Sequence, residues 1–150
     1  MTCENNINGK TLARLVAVQG LYSSEVSGEV DIDNILKKAI KIPADSDEDE
    51  IKSKPNKKQL KKIISGVQKN KDEIDILIKK FLKPGWEINR LDMLLLSIIR
   101  AAVFELKYCE DVPVRVVFDE YMNVAHAFYD TQEVGFINAI LDSISVDLRK

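Results

Sequence analysis

Residues 88–106, INRLDMLLLSIIRAAVFEL, are the most apolar run in this 150-residue chain. Leu91, Leu94, Leu95, Ile98, Ile99, Ala102 and Leu106 recur at three- and four-residue steps, which places them on one side of a helix. The other side carries Asp92, Leu96, Arg100, Val103 and Lys107, so it is not fully polar. A helix apolar over most of its circumference is either covered by several neighbours or crosses a membrane. Asp92, Ser97, Arg100 and Glu105 interrupt the run, leaving it short of the ~18 or more apolar residues a span needs. The segment 88–107 therefore reads as the central helix of an all-α bundle with no membrane role.

The flanking sequence supplies helices to cover it. Leu12, Leu15, Val16, Val18, Leu21 and Tyr22 give residues 9–24 one buried side, and Lys10 and Arg14 share another face one turn apart. Ile32, Ile35, Leu36 and Ala39 suggest a short second helix over 31–42, stopped before Pro43. Residues 43–56, with Pro43, Pro55 and five acids between 45 and 50, read as a loop between sub-bundles. Leu60, Ile63, Ile64 and Val67 mark a third helix. The spacing of Asn70 and Glu73 predicts a capping box opening a fourth, which Pro84-Gly85 ends. Pro113 suits the first turn of a sixth helix with a stripe from Val114 through Phe128, and Asp130 with Glu133 predicts a second capping box before a seventh. About seven helices are expected, in one domain over 9–150 behind a loose tail at 1–8, with sub-bundles at roughly 9–83 and 86–148.

The net charge of −2 favours no class of partner, but its distribution is uneven. Residues 52–83 hold eleven lysines against three acids, a solvated face or a polyanion contact. Cys3 and Cys109 form neither a disulfide framework nor a metal spacing, and with no signal peptide in view a cytoplasmic setting is expected. Catalysis lacks its parts. His126 is the sole histidine and has no positioned partner, the serines have no base, no glycine-rich phosphate loop follows a strand, and no metal or cofactor is implied. A binding protein is expected rather than an enzyme.

Two further features need partners. Arg100 lies among apolar groups, and an unpaired buried charge is costly, so an ion pair to Asp119 or Glu120 is expected. Phe128 and Phe136 flank the connection 129–135. A ring there beside basic residues is the chemistry of a single-stranded RNA site, in which bases stack on aromatics and cations hold phosphates.

Three stretches carry a resemblance: Ala13, Ala17, Gln19, Leu21 and Tyr22 in ARLVAVQGLYSSEVSG; Trp86, Arg90, Leu91, Ile98, Arg100, Ala102, Glu105 and Leu106 in a W-x-x-x-R-L run and its apolar helix; and DVPVRVVFDEYMNVAHAFYDTQEVGFINAILD at 111–142. In order and spacing, from about Gly9 to Ile144, they resemble the NusB family of bacterial transcription antitermination factors. The resemblance implies a non-catalytic, all-helical protein of two sub-bundles. It would bind boxA-like RNA of ribosomal leader transcripts together with NusE, a small-subunit ribosomal protein, within an RNA polymerase antitermination complex.

Carried over, the RNA-binding positions are Lys10, Thr11, Arg14 and Phe136, with Phe128 a fainter candidate. The partner surface is expected on the outer faces of the central and sixth helices, at Asp92, Leu95, Leu96, Arg115 and Asp119, and Arg100 with Glu120 as a structural ion pair. The chain departs from the family in places. Lys10 and Arg14 stand where three or four arginines are common, which weakens phosphate contact. Leu94-Leu95-Leu96 replaces a frequent I-D-R, so an exposed leucine there would point to a protein partner. Gly135 stands where lysine is common. The competing readings are a helical scaffold without an RNA role and a fragment of an RNA-modifying enzyme.

Overall fold

The computed structural model describes residues 9–28 and 56–149. Six α-helices occupy them: α1 (Gly9–Ser27), α2 (Lys57–Lys69), α3 (Lys71–Phe81), α4 (Met93–Tyr108), α5 (Val114–Phe128) and α6 (Thr131–Leu148), with a 3-10 turn at Ile88–Arg90. The helix expected over 31–42, the tail 1–8 and all of the acidic loop except Asn56 lie outside the described residues. No described helix is long and apolar enough to cross a membrane.

α4 touches each of the other five helices. Every residue from Leu95 to Leu106 is buried, including Ser97, Arg100 and Glu105. The apolar stripes of the covering helices meet it as their spacing predicts: Leu60, Ile63, Ile64 and Val67 from α2, Ile74 and Ile78 from α3, Val117 and Tyr121 from α5, and Ile137, Leu141 and Ile144 from α6. Gly66 of α2 lies so close to α4 that a Cβ there would stand 2.1 Å from a Phe104 ring carbon. Only a residue without a side chain admits that ring.

The central helix starts later than its apolar pattern suggests. Leu91 is extended (ψ 148°), and Asp92 caps α4 by accepting a bond from the Leu95 N–H at 3.4 Å. A carboxylate that binds nearby backbone donors favours a helix start over a helix interior. At the other end, the Arg149 guanidinium donates to the carbonyls of Leu106 (2.8 Å), Cys109 (3.1 Å) and Glu105 (3.3 Å), and of Val112 (3.0 Å) in the following turn. Helices leave their last carbonyls unpaired, and a cation there satisfies them and opposes the helix dipole.

Neither expected capping box forms. The Asn70 amide turns back to the Gly66 carbonyl at 2.9 Å, and Glu73 instead accepts the Tyr108 hydroxyl at 2.5 Å. Asp130 precedes α6 without a side-chain cap bond. Asn56, not anticipated as a cap, accepts from the Gln59 N–H at 2.9 Å and starts α2. α1 runs to Ser27 and ends at Gly28, whose φ of 80° suits the left-handed residue after a helix.

Candidate nucleic-acid interface

The segment joining α3 to α4 helps to build a concave surface with α6. Pro84-Gly85 forms a tight turn, closed by the Trp86 N–H to the Lys83 carbonyl at 3.0 Å. Gly85 takes φ 91°, which glycine adopts without the Cβ penalty of other residues. The turn delivers Trp86 onto Phe136 in the second turn of α6. The rings stack with centroids 5.6 Å apart and planes 18° from parallel, and Trp86 remains 54% exposed. Below them lies a groove of about 700 Å³. Phe81, Leu91, Leu95 and Ile140 supply apolar lining, and Lys83, Arg90, Asp92, Gln132 and Glu133 supply polar lining. Stacked aromatics beside cations are what an unpaired base and its phosphates require.

Phe136 is thus the one anticipated RNA residue in this groove. Phe128 is exposed at the end of α5, outside the groove lining. Lys10 is exposed and Thr11 half-buried at the start of α1, toward the far end of α4. Glu105, which holds the same stretch of α1 through Arg14, lies ten residues beyond the groove-lining Leu95, about 15 Å along the axis at ~1.5 Å per residue.

Arg14 is not a surface cation. It is 4% exposed and grips the fully buried Glu105 with two bonds, Nε at 2.7 Å and Nη2 at 2.8 Å, while Glu120 stands 3.4 Å from its third nitrogen. The Tyr121 hydroxyl donates to the same Glu105 carboxylate at 2.5 Å. Burial alone would lower the Arg14 pKa, but the bond and charge of Glu105, aided by Glu120, raise it above the ordinary value, so the guanidinium stays charged. Burial and then Glu105 push the Tyr121 phenol well above 10.0, so it stays protonated as a donor. Taking Arg14 out of this network to hold a phosphate would leave Glu105 charged and buried alone.

Arg100 is a structural ion-pair residue with different partners from those expected. It binds Asp75 through two 2.9 Å bonds and stands 3.6 Å from Glu25, which also takes Lys71 at 2.6 Å. Glu120 belongs to Arg14 instead, and Asp119 is exposed. The side of α4 that carries Arg100 faces α3 and α1, which no spacing within the α4 sequence could reveal.

The anticipated partner surface is not one patch. Leu95 and Leu96 are 6% and 2% exposed, so the apolar substitution at these positions fills the core and the groove floor rather than a docking face. Asp92 is exposed and accepts the Tyr129 hydroxyl just beyond α5. Arg115 and Asp119 are exposed toward the opposite end of α5, where Val116 is also open. From Tyr129 back to Arg115 is about 20 Å along that helix at ~1.5 Å per residue.

Trp86, Lys83, Arg90, Gln132 and Glu133 are groove residues that sequence reasoning did not assign. The Pro84-Gly85 turn directly before the chain's only tryptophan was the available signal. The helical spacing of Gln132 and Glu133 from Phe136 was another.

The sequence profile of the NusB family matches residues 11–146. The transcription antitermination protein NusB of Caulobacter vibrioides is 39% identical over 146 residues, covering 97% of each chain. Among solved structures, NusB of T. maritima superposes with a TM-score of 0.74 at 26% identity, covering 93% of this chain and 92% of that one. A chain from a crystal structure of the antitermination factors NusB and NusE with dsRNA shares the fold, with a TM-score of 0.73 at 23% identity and coverage of 91% and 96%. By profile, identity and coverage, this chain belongs to the NusB family.

Proposed function

We propose that this chain is a non-enzymatic RNA-binding factor in transcription antitermination. It engages boxA-like RNA of ribosomal leader transcripts together with a NusE-type ribosomal protein, within the RNA polymerase antitermination complex and in the cytoplasm. Family membership supports the antitermination role. The observation that carries RNA binding is the Trp86–Phe136 stack over a groove lined by Lys83 and Arg90. Lys10 adds a phosphate contact from α1, and the exposed Arg115–Val116–Asp119 strip of α5 is the surface offered to the ribosomal protein.

The test is RNA binding by the whole chain with and without NusE, using Phe136→Ala and Lys10→Glu variants. Stacking on a protein ring contributes about 1–3 kcal/mol, so Phe136→Ala is expected to lower RNA affinity on the order of tenfold. Lys10→Glu is expected to flatten the salt dependence by about one unit of slope. Unchanged affinity in both variants sinks this site. Arg115→Glu is expected to weaken NusE binding and leave binding of RNA alone intact.

A further inference from the structure

The groove carries both signs of charge, in different circumstances. Lys83 and Arg90 come from the α3–α4 connection, and among the described residues no carboxylate lies within ion-pair distance of either. Asp92 and Glu133 gather around Tyr129, whose hydroxyl donates to Asp92. Burial foremost, then that bond, the Asp92 charge and finally the Glu133 charge, raises the phenol's pKa. Asp92 is half engaged, since its Oδ2 accepts from both Tyr129 and the Leu95 N–H, which leaves one oxygen, Oδ1, where a pair of adjacent donors needs two. The Glu133 carboxylate has no hydrogen-bond or ion-pair partner among the described residues. It lies in the first turn of α6, one helical step before Phe136, so the two share a face and line the same groove. Trp86 covers the Phe136 ring with one face and leaves much of the indole open.

We propose that the groove holds one guanine nucleotide, its base stacked on the open face of Trp86, its Watson–Crick edge held by the Glu133 carboxylate, and its phosphate held by Lys83 and Arg90. This rests on the RNA reading above and names the base which that site selects.

The selection follows from donor and acceptor patterns. An ionised carboxylate only accepts hydrogen bonds, and its two oxygens suit two adjacent donors. Guanine presents such a pair in N1–H and the N2 amino group. Adenine places the N1 acceptor beside its N6 amino group, cytosine places N3 beside N4, and uracil flanks its single N3–H with two carbonyls. Each of these turns a lone pair toward the carboxylate. Stacking on Trp86 tolerates any base, so discrimination falls to Glu133. The two cations then receive the backbone of whichever strand presents the guanine.

Trp86 is the only tryptophan in the chain, so its fluorescence reports stacking directly. The experiment titrates the whole chain with short single-stranded RNAs of uridines around one central guanosine, adenosine or inosine. The guanosine oligomer is expected to quench Trp86 and to bind about tenfold more tightly than the adenosine oligomer, within the discrimination usual for a bidentate base contact. Inosine lacks the N2 amino group and is expected to fall between them. Glu133→Ala is expected to abolish the preference by weakening the guanosine oligomer alone.

Equal affinity for guanosine and adenosine oligomers overturns the proposal, as does a preference that survives Glu133→Ala. Guanosine monophosphate separates the two sources of the base. If it binds as tightly as the guanosine oligomer, the site takes a free nucleotide and the RNA reading of the groove is overturned while guanine selection stands. If no oligomer binds, the RNA reading fails on its own. The monophosphate then decides the guanine site: Trp86 quenching supports it, and no quenching overturns it.

Discussion

The two ends of α4 use the same residue types to opposite effect. At its C-terminal end Arg14, Glu105, Glu120 and Tyr121 converge, Glu105 is fully buried, and Arg149 covers the helix carbonyls. Arg14, Glu105, Glu120 and Arg149 each have a partner there. At its N-terminal end Lys83, Arg90 and Glu133 line an open groove beside two stacked rings, and none of their charged groups has a partner among the described residues. A charge buried with a partner cannot be released without stranding the other, whereas an exposed unpaired one is available to a ligand. The sealed end thus carries the architecture and the open end is where we place recognition, although both hold arginine and glutamate.

Breaking the sealed end should be the costlier change. Arg14→Ala strands Glu105 and is expected to destabilise the fold by about 3–5 kcal/mol, seen as a lowered urea midpoint. Arg149→Ala uncovers the end of α4 and is expected to cost about 1–2 kcal/mol in the same assay. If the two variants cost the same, the Arg14 network is less enclosed than its exposure indicates. At the open end, Asp92→Ala removes a cap and the Tyr129 contact for about 1 kcal/mol. It should leave guanine selection, assigned to Glu133, unaltered.

The smallest effect is alkaline. The folded state holds the Tyr121 phenol protonated well above 10.0. The unfolded state therefore loses that proton first, and stability should decline as pH rises past about 10. Tyr108, raised to about 12 by burial and its bond to Glu73, adds to the same slope. Tyr121→Phe should flatten the decline in urea titrations between pH 9 and pH 11. An unchanged slope would place its source in other tyrosines.

Residues whose roles are set by their own helix were legible in the sequence. The stripes of α2, α5 and α6 and the burial of α4 follow from three- and four-residue spacing, which is a local property. Arg100 could be recognised as a paired cation because its apolar neighbours lie on the same helix, but its partner Asp75 is 25 positions away and was not. Arg14 was misread for the same reason. Its family position suggested phosphate contact, while Glu105, 91 positions away, determines its role. The groove was half legible. Phe136 stood out through family resemblance, and Trp86 joined it only once the Pro84-Gly85 turn had a direction in space.

The separation of Arg14 from Glu105 also sets a clock. Chains are made at ~5–20 residues per second, so Arg14 is synthesised about 5–18 s before Glu105, and Cys109 about 2–8 s before Arg149. Through that interval α1 carries a cation without its carboxylate, although α2, on which α1 also packs, is already made. A growing chain that stalls before residue 105 presents the Arg14 guanidinium, without the Glu105 carboxylate, to whatever is nearby in the cell.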